Sequence, residues 1–242
     1  MESNSKVQIL FFKKIINPRN FTYRVILGPL TKYLKNKKRV LDAGCGEGNI
    51  GLFIASYGAN VIGVDVSKQS IITCKKKANC LLLSKNALFI NADLEKQKFT
   101  ERFNLITCTE VIEHLNNDKI VLDKFFNWLK ADGILFLSTP SKNAPLFKMG
   151  ITKRRDNETG HLRRYTTKTL TEKLKKIGFT IIETKKTEGI LRNFLFFTKI
   201  GCFPLRIANK FQFVSDIITF LDNITLKLFG ESQIIIVAQK PK

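Results

Sequence analysis

Residues 40–51 read VLDAGCGEGNIG, an apolar run that ends in Asp42 and then breaks into glycines at every second position, Gly44, Gly46 and Gly48. A strand that opens into a glycine loop and then enters a helix makes a binding edge. Glycines let a ligand touch the backbone and let the loop take positive φ. Asp42, just before the loop, suits a ligand that carries a cationic amine. Cys45 inside the loop reads as a small, soft filler; a nucleophilic thiol is the sharper alternative.

The rhythm around the loop fixes the fold class. Val40–Ala43 predicts strand one, Asn49–Tyr57 a helix, Asn60–Val64 strand two, a helix capped by Ser67 to about Leu82, and Ala87–Ile90 strand three. Phe103–Cys108 is strand four, residues 118–130 a helix, 131–133 a turn, and Ile134–Ser138 strand five. Regular βαβ alternation argues for a parallel sheet covered on both faces. Residues 140–163 break the rhythm and read as an irregular insertion. A helix at Thr167–Ile177, Gly178 as its cap, and strands at Phe179–Glu183 and Gln233–Ala238 complete the pattern. The 242 residues suffice for one domain. Residues 1–36 form an amphipathic helical cover with a turn at Asn17-Pro18, and with Phe11, Phe12, Ile15 and Ile16 on its apolar face. Residues 37–187 are the core, 188–230 a helical insertion or lid, and 231–242 the last strand and tail.

Composition narrows the setting. Five scattered cysteines without a CxxC pair disfavour a zinc ribbon or a disulfide framework and fit a reducing cytoplasm. Neither a signal-peptide pattern nor an 18-residue apolar run is present. The net charge of +21 can attract nucleic acid, an anionic membrane or acidic substrates, although Lys, Asn and Ile enrichment throughout the chain accounts for it equally well. Eight phenylalanines (Phe194, Phe196, Phe197, Phe203, Phe211, Phe213, Phe220, Phe229) interleave with Lys199, Arg206, Lys210 and Lys227. They read as a lid, a dimer surface or a peripheral contact with anionic membrane.

The strand ends carry acids. Asp65, followed by Val66, ends strand two 19 residues beyond Gly46 and can accept bonds from two ribose hydroxyls. Asp93 after strand three can accept from an adenine amine, with Leu94 over the ring. The G-x-G-x-G spacing departs from the dinucleotide fingerprint, and Glu47 in the loop would repel a pyrophosphate. A nucleoside without phosphate fits better.

Taken in order, VLDAGCGEG, VIGVDVS, NADLE and TCTEVIEHL resemble the class I S-adenosylmethionine-dependent methyltransferases over residues 38–183. CTEVIEHL followed by LSTPSKN is similar to the ubiquinone-biosynthesis O-methyltransferases. The resemblance implies a Rossmann-like, doubly wound α/β sheet of seven strands, the last antiparallel, with N-terminal helices and a helical insertion before the last strand. It implies S-adenosyl-L-methionine as cofactor, with Gly44 at the methionine part, Asp65 at the ribose, Asp93 at the adenine end and Thr109 beside the sulfonium. Arg24 stands where the family has an arginine that can pair with the cofactor's carboxylate.

Glu110, Glu113 and His114 share one face of a helical turn. In the ubiquinone-type enzymes, and in small-RNA 2′-O-methyltransferases, a similar E-x-x-E-H binds a divalent cation. The resemblance thus implies a cation such as Mg²⁺ on Glu110, Glu113 and His114; the histidine leaves its identity open. His114 as a metal-free base and a packing role for the cluster stay open. His161 is a fourth ligand, a base or a substrate contact, and Arg163 and Arg164 offer charge to an anionic group.

The expected function is O-methylation of a small or lipid-like hydroxylated acceptor. A nucleic-acid methyltransferase is a second reading, weakened by one Trp, four Tyr and no recognisable RNA-binding module. A non-catalytic cofactor-binding partner protein is a third.

Overall fold

The computed structural model describes residues 15–36, 38–197 and 201–242. Phe11, Phe12 and Lys199 lie outside them. The elements run α1 (Arg24–Thr31), β1 (Arg39–Ala43), α2 (Asn49–Ser56), β2 (Asn60–Asp65), α3 (Lys68–Cys80), β3 (Ala87–Asn91) and β4 (Phe103–Thr109). Then come α4 (Asp118–Trp128), β5 (Leu129–Pro140), α5 (Pro145–Lys148), α6 (Lys153–Thr159), α7 (Thr167–Ile177) and β6 (Thr180–Thr187). Helices α8 (Ile190–Phe197), α9 (Cys202–Lys210) and α10 (Gln212–Phe229) lead into β7 (Gln233–Gln239). The seven strands order as β3-β2-β1-β4-β5-β7-β6. Strands β1 to β5 pair in parallel, and β7 runs antiparallel between β5 and β6.

Period-two alternation sends side chains into two cores, one on each face of the sheet. From β7, Ile235 and Val237 enter the core with Leu27, Phe53 and Phe89, while Ile234, Ile236 and Ala238 enter the core with Val121, Phe125 and Leu174. Burial on both faces explains why the strands read as near-continuous apolar runs. The strand order reverses at β1 and β4, so the glycine loop after β1 lies at the crevice where such sheets bind ligands.

Several elements differ from expectation. The anticipated turn at 131–133 is a bulge inside β5: the register jumps from Phe103↔Leu129 to Leu105↔Ile134, and Asp132 takes φ 60°. Helix α4 stops at Trp128, because Leu129 is already extended and pairs with β4. Strand β6 runs on to Thr187, since β7 offers it a partner along its whole length. Residues 140–163 hold two short helices rather than irregular chain. Ahead of α1, the turn expected at Asn17-Pro18 is present and runs on through residue 23; Asn17 Oδ1 accepts from the Arg19 amide and Asn20 Oδ1 from the Tyr23 amide. These local bonds compete with helix, as asparagine side chains commonly do.

Candidate active site

Beyond the C-terminal ends of β1, β2, β3 and β4 lies a cleft of about 700 Å³. Gly44, Cys45, Gly46, Asp65, Val66, Asp93, Leu94 and Thr109 all line it. Gly44 has φ +70°, and a Cβ there would stand 2.2 Å from a Val111 methyl, so no side chain fits. The amides of Gly44 and Cys45 both donate to the Val64 carbonyl, which ties the loop to β2. The Asp65 carboxylate is set by two amides, Gly46 N on Oδ2 and Ser67 N on Oδ1, each at 2.8 Å. Its remaining lone pairs are free to take ligand hydroxyls. Asp93 Oδ1 caps the Glu95 amide at 2.8 Å beside the buried Leu94. The Cys45 thiol packs with Cys74 against the Gly46 carbonyl, and the neighbouring thiol and burial push its pKa up. It is a protonated filler, not a nucleophile.

Three anticipated residues do not reach this cleft. Gly48 packs away from it: a Cβ there would stand 2.9 Å from Cys74 Sγ. Asp42 is 1% exposed beneath the loop; Thr107 Oγ1 donates to its Oδ1 at 2.8 Å, and its Oδ2 abuts Gly51 in α2. A ligand amine cannot meet it there. Burial pushes its pKa up to about 6, against the Thr107 bond and the Gly51 backbone. A raised carboxyl stabilises the fold fully below the ordinary value of 3.8, and that contribution is lost as pH rises through 6. Asp42→Asn is therefore expected to raise stability at pH 7.5 by on the order of 2–3 kcal/mol. Thermal unfolding near pH 3.5 should show little difference. Arg24 turns to α10 instead: its guanidinium donates to Ser215 O, Ser215 Oγ, Thr219 Oγ1 and Asp216 Oδ1.

Glu110 also lines the cleft and takes φ 56°, a left-handed backbone uncommon for a glutamate and typical of strained functional positions. The Glu110 amide donates to Ser138 O, and Gln233 Nε2 and Ser138 Oγ donate to Oε1 at 2.7 and 3.2 Å. The carboxyl keeps water-accessible surface on the cleft, yet sheet and helices enclose it; desolvation raises its pKa to about 7. Glu113 is fully buried, receives Thr139 Oγ1 on Oε2 at 2.8 Å, and leaves Oε1 without a partner. Burial, then the charge of Glu110, pushes it well up. His114 Nδ1 meets Gly160 O at 3.1 Å, and its Nε2 lies 4.0 Å from Glu113 Oε1. The His161 ring crosses the His114 ring edge-on at 4.7 Å, and burial lowers its pKa. Ligand atoms of Glu113, His114 and His161 fall within 4.8 Å of one another; Glu110 is outside that group. Arg164 is committed to Asp156, by 2.5 and 2.6 Å bonds, and to Ser141 O, while Arg163 bonds Asn116 O. Neither reads as a free anion receptor.

A family model described as a methyltransferase domain matches residues 20–184. The chain belongs to this methyltransferase family. The methyltransferase is 32% identical over 139 residues to a ubiquinone biosynthesis O-methyltransferase of Glaesserella parasuis, covering 56% of this chain and 57% of the relative. A mitochondrial ubiquinone biosynthesis O-methyltransferase of Schizosaccharomyces pombe is 34% identical over 106 residues, covering 43% and 39%. The methyltransferase thus spans little more than half the length of the first of these relatives. A SAM-dependent methyltransferase of Archaeoglobus fulgidus superposes with a TM-score of 0.64 at 19% identity, covering 96% of this chain and 99% of that one. Phosphoethanolamine N-methyltransferase 2 of Haemonchus contortus, in complex with S-adenosyl-L-methionine, gives 0.69 at 18%, covering 91% and 53%.

The methyltransferase also lines its cleft with residues that the sequence did not single out: Tyr23, Asn49, Ile50, Ala92, Leu115 and Asn116. Tyr23 OH accepts from Asn49 Nδ2 at 2.6 Å, which ties the turn before α1 to the start of α2. The one signal for Asn49 was its place at the helix N-terminus.

Proposed function

We propose that this methyltransferase transfers the methyl group of S-adenosylmethionine to a hydroxyl oxygen of a small or lipid-like acceptor. The observation that carries the reading is the pair Glu110 and His114 on the wall of a cleft with strand-end acids, with Glu113 and His161 grouped beside His114. Asp65 takes the ribose hydroxyls, Asp93 and Leu94 the adenine, and the backbone at Gly44 and Thr109 the methionine end. The positive sulfur is already a good leaving group, so the chain's task is alignment of the oxygen and removal of its proton. The names of the relatives support oxygen as the acceptor atom. Labelled methyl transfer into a cell extract tests the reading: an ether-linked label is expected, and an N-linked label or none overturns it.

The donor set also fits a divalent cation. Glu113 Oε1 is a buried lone-pair atom without a hydrogen-bond partner, beside His114 and His161, and the His161 Nδ1 faces Asp156 Oδ1 at 3.4 Å, which leaves Nε2 as its ligand atom. Glu113, His114 and His161 would hold the ion, with Glu110 of the anticipated set at the cleft beside them. A bound cation would supply Lewis acidity that lowers a hydroxyl's pKa.

Helix α10 supports contact with an anionic membrane. Its polar residues Ser215 and Asp222 face inward, the latter accepting from the Gly189 and Arg192 amides. Phe213, Ile217, Phe220, Leu221, Ile224 and Leu228 face solvent at helical spacing, next to exposed Arg206, Lys210 and Lys227. A chain of net charge +21 disfavours a second copy on this face and favours acidic lipid. No helix of the described residues is long and apolar enough to cross a membrane. Flotation with anionic vesicles is expected to carry the wild type and to lose Phe213→Ser/Phe220→Ser; equal flotation of both overturns this contact.

A further inference from the structure

Behind Glu110, on the side away from the glycine loop, lies a second recess of about 190 Å³. It is bounded by Thr22, Pro140, Arg164, Glu188 and Phe196, by Asn193 from α8, and by Ser232 and Gln233 at the start of β7. Glu110 lines both this recess and the cleft, so a molecule seated here presents one edge to the methyl-transfer position.

The walls are unusual in what they lack. Asn193 Oδ1, Ser232 Oγ and Gln233 Oε1 are buried without a hydrogen-bond partner. These residues are 6%, 4% and 7% exposed and no other protein group reaches these atoms, so whatever fills the recess must satisfy them. The Gln233 amide is oriented by its bond to Glu110, Nε2 donating at 2.7 Å, so its oxygen is the end left over. The Glu110 carboxyl adds another acceptor, and the Glu188 carboxyl, which meets Arg192 Nη2 at 3.5 Å through Oε1, adds one more. Both residues hold left-handed backbones, φ 56° and 57°, two of the five such non-glycine residues described. Orphaned buried polar atoms and strained backbone each cost free energy, and they collect where a ligand repays them.

The missing group thus donates hydrogen bonds in several directions, and because Arg192 Nε and Nη1 nearby and the Ser232 hydroxyl also lack partners, a group that both donates and accepts fits best. An anion would meet the Glu110 and Glu188 carboxyls and the amide oxygens of Asn193 and Gln233. A cation would meet Arg164 and the Arg192 guanidinium, which lies 5.3 Å from the Phe196 ring centre. A flat aromatic diol brings two hydroxyls in one plane and would want apolar walls, of which Pro140 and Phe196 are the main ones here.

Resting on the O-methyltransfer reading, we propose that this recess recognises a neutral, saturated polyol unit, a sugar or cyclitol ring, free or as a lipid headgroup. Asn193, Ser232 and Gln233 accept from its hydroxyls and hold one further hydroxyl at Glu110. As that oxygen bonds the methyl carbon, the carbon–sulfur bond breaks with its electron pair left on sulfur. The hydroxyl proton passes to the carboxylate.

The test labels a cell extract with methyl-labelled S-adenosylmethionine and identifies the product after separate extraction of lipid and aqueous fractions. A methyl ether on a sugar or cyclitol is expected, and the fraction that carries it tells a lipid headgroup from a free polyol. Label on an aromatic hydroxyl overturns the polyol assignment and leaves O-methylation standing. Label on nitrogen, or none while the cofactor binds, overturns both. With the product known, Asn193→Leu and Ser232→Ala are each expected to raise the acceptor KM about tenfold, the worth of one hydrogen bond. Turnover and cofactor affinity should stay close to wild type. Unchanged KM in the folded variants overturns the recognition roles.

Discussion

Replacing Asp65 by alanine is expected to weaken S-adenosylmethionine binding about a hundredfold or more. The carboxylate is held between the Gly46 and Ser67 amides, so it meets a ligand with its orientation already fixed. Each hydrogen bond to a charged group is worth about 1.5–3 kcal/mol, and two ribose hydroxyls would make two of them. The change also removes the anchor of the loop at Gly46, which adds to the loss. Asp65→Asn separates the two effects. It keeps the side-chain shape but turns an amide NH₂ toward one of those two backbone donors. Calorimetric titration reads the affinity, and hydrogen exchange at residues 44–48 reads loop order. Near-normal affinity in Asp65→Ala would remove Asp65 from the binding site whatever the loop does.

How far the site was readable depends on range. The loop, Asp65, Asp93, Leu94 and Thr109 converge because each sits at the end of a strand whose order follows from βαβ handedness; local text plus topology places them. Arg24 and Asp42 went differently because their partners are set by packing. Arg24 is satisfied by Ser215 and Thr219, about 190 residues later in the chain, and Asp42 by Thr107 across the strand pair. No periodicity reports such pairings. His161 joined His114 through the Gly160 carbonyl, a contact across 46 residues, so its closeness to Glu113 was legible only as a resemblance. The inward polar face of α10 was hidden for a similar reason. Its stripe of phenylalanines reads equally as a lid, a dimer surface or a membrane contact until Asp222 is seen capping the start of α8. The bulge in β5 is a case of local chemistry misread: Ala131-Asp132-Gly133 has turn residues, and they served to insert chain into a strand rather than to start one.

Glu113→Gln should lower turnover more than cofactor affinity, acting through Glu110 and His114 beside it, and leave that affinity within about threefold because Glu113 does not wall the cleft. The pH dependence carries the argument further. Glu110 and Glu113 both hold their protons above the ordinary carboxylate range, chiefly through burial. A base must be ionised, so wild-type kcat/KM should rise as pH increases through about 7 and fall away in acid. Stability has the opposite sign. Carboxyls whose pKa is raised in the folded state favour folding fully below their ordinary value of 4.5, and that contribution is lost as pH rises through the folded value. Glu113→Gln removes this penalty, so it should melt higher than wild type at pH 8 and about equally at pH 4. A variant that loses turnover and gains stability in alkali marks a group kept for chemistry at a cost to the fold. A Glu113 kept only for packing would show both quantities falling together, at every pH. Adding Mg²⁺, Mn²⁺ or a chelator completes the test. A turnover indifferent to all three leaves the proton transfer to Glu110 and His114 at the cleft, whereas loss in chelator restored by metal shows that turnover needs an ion.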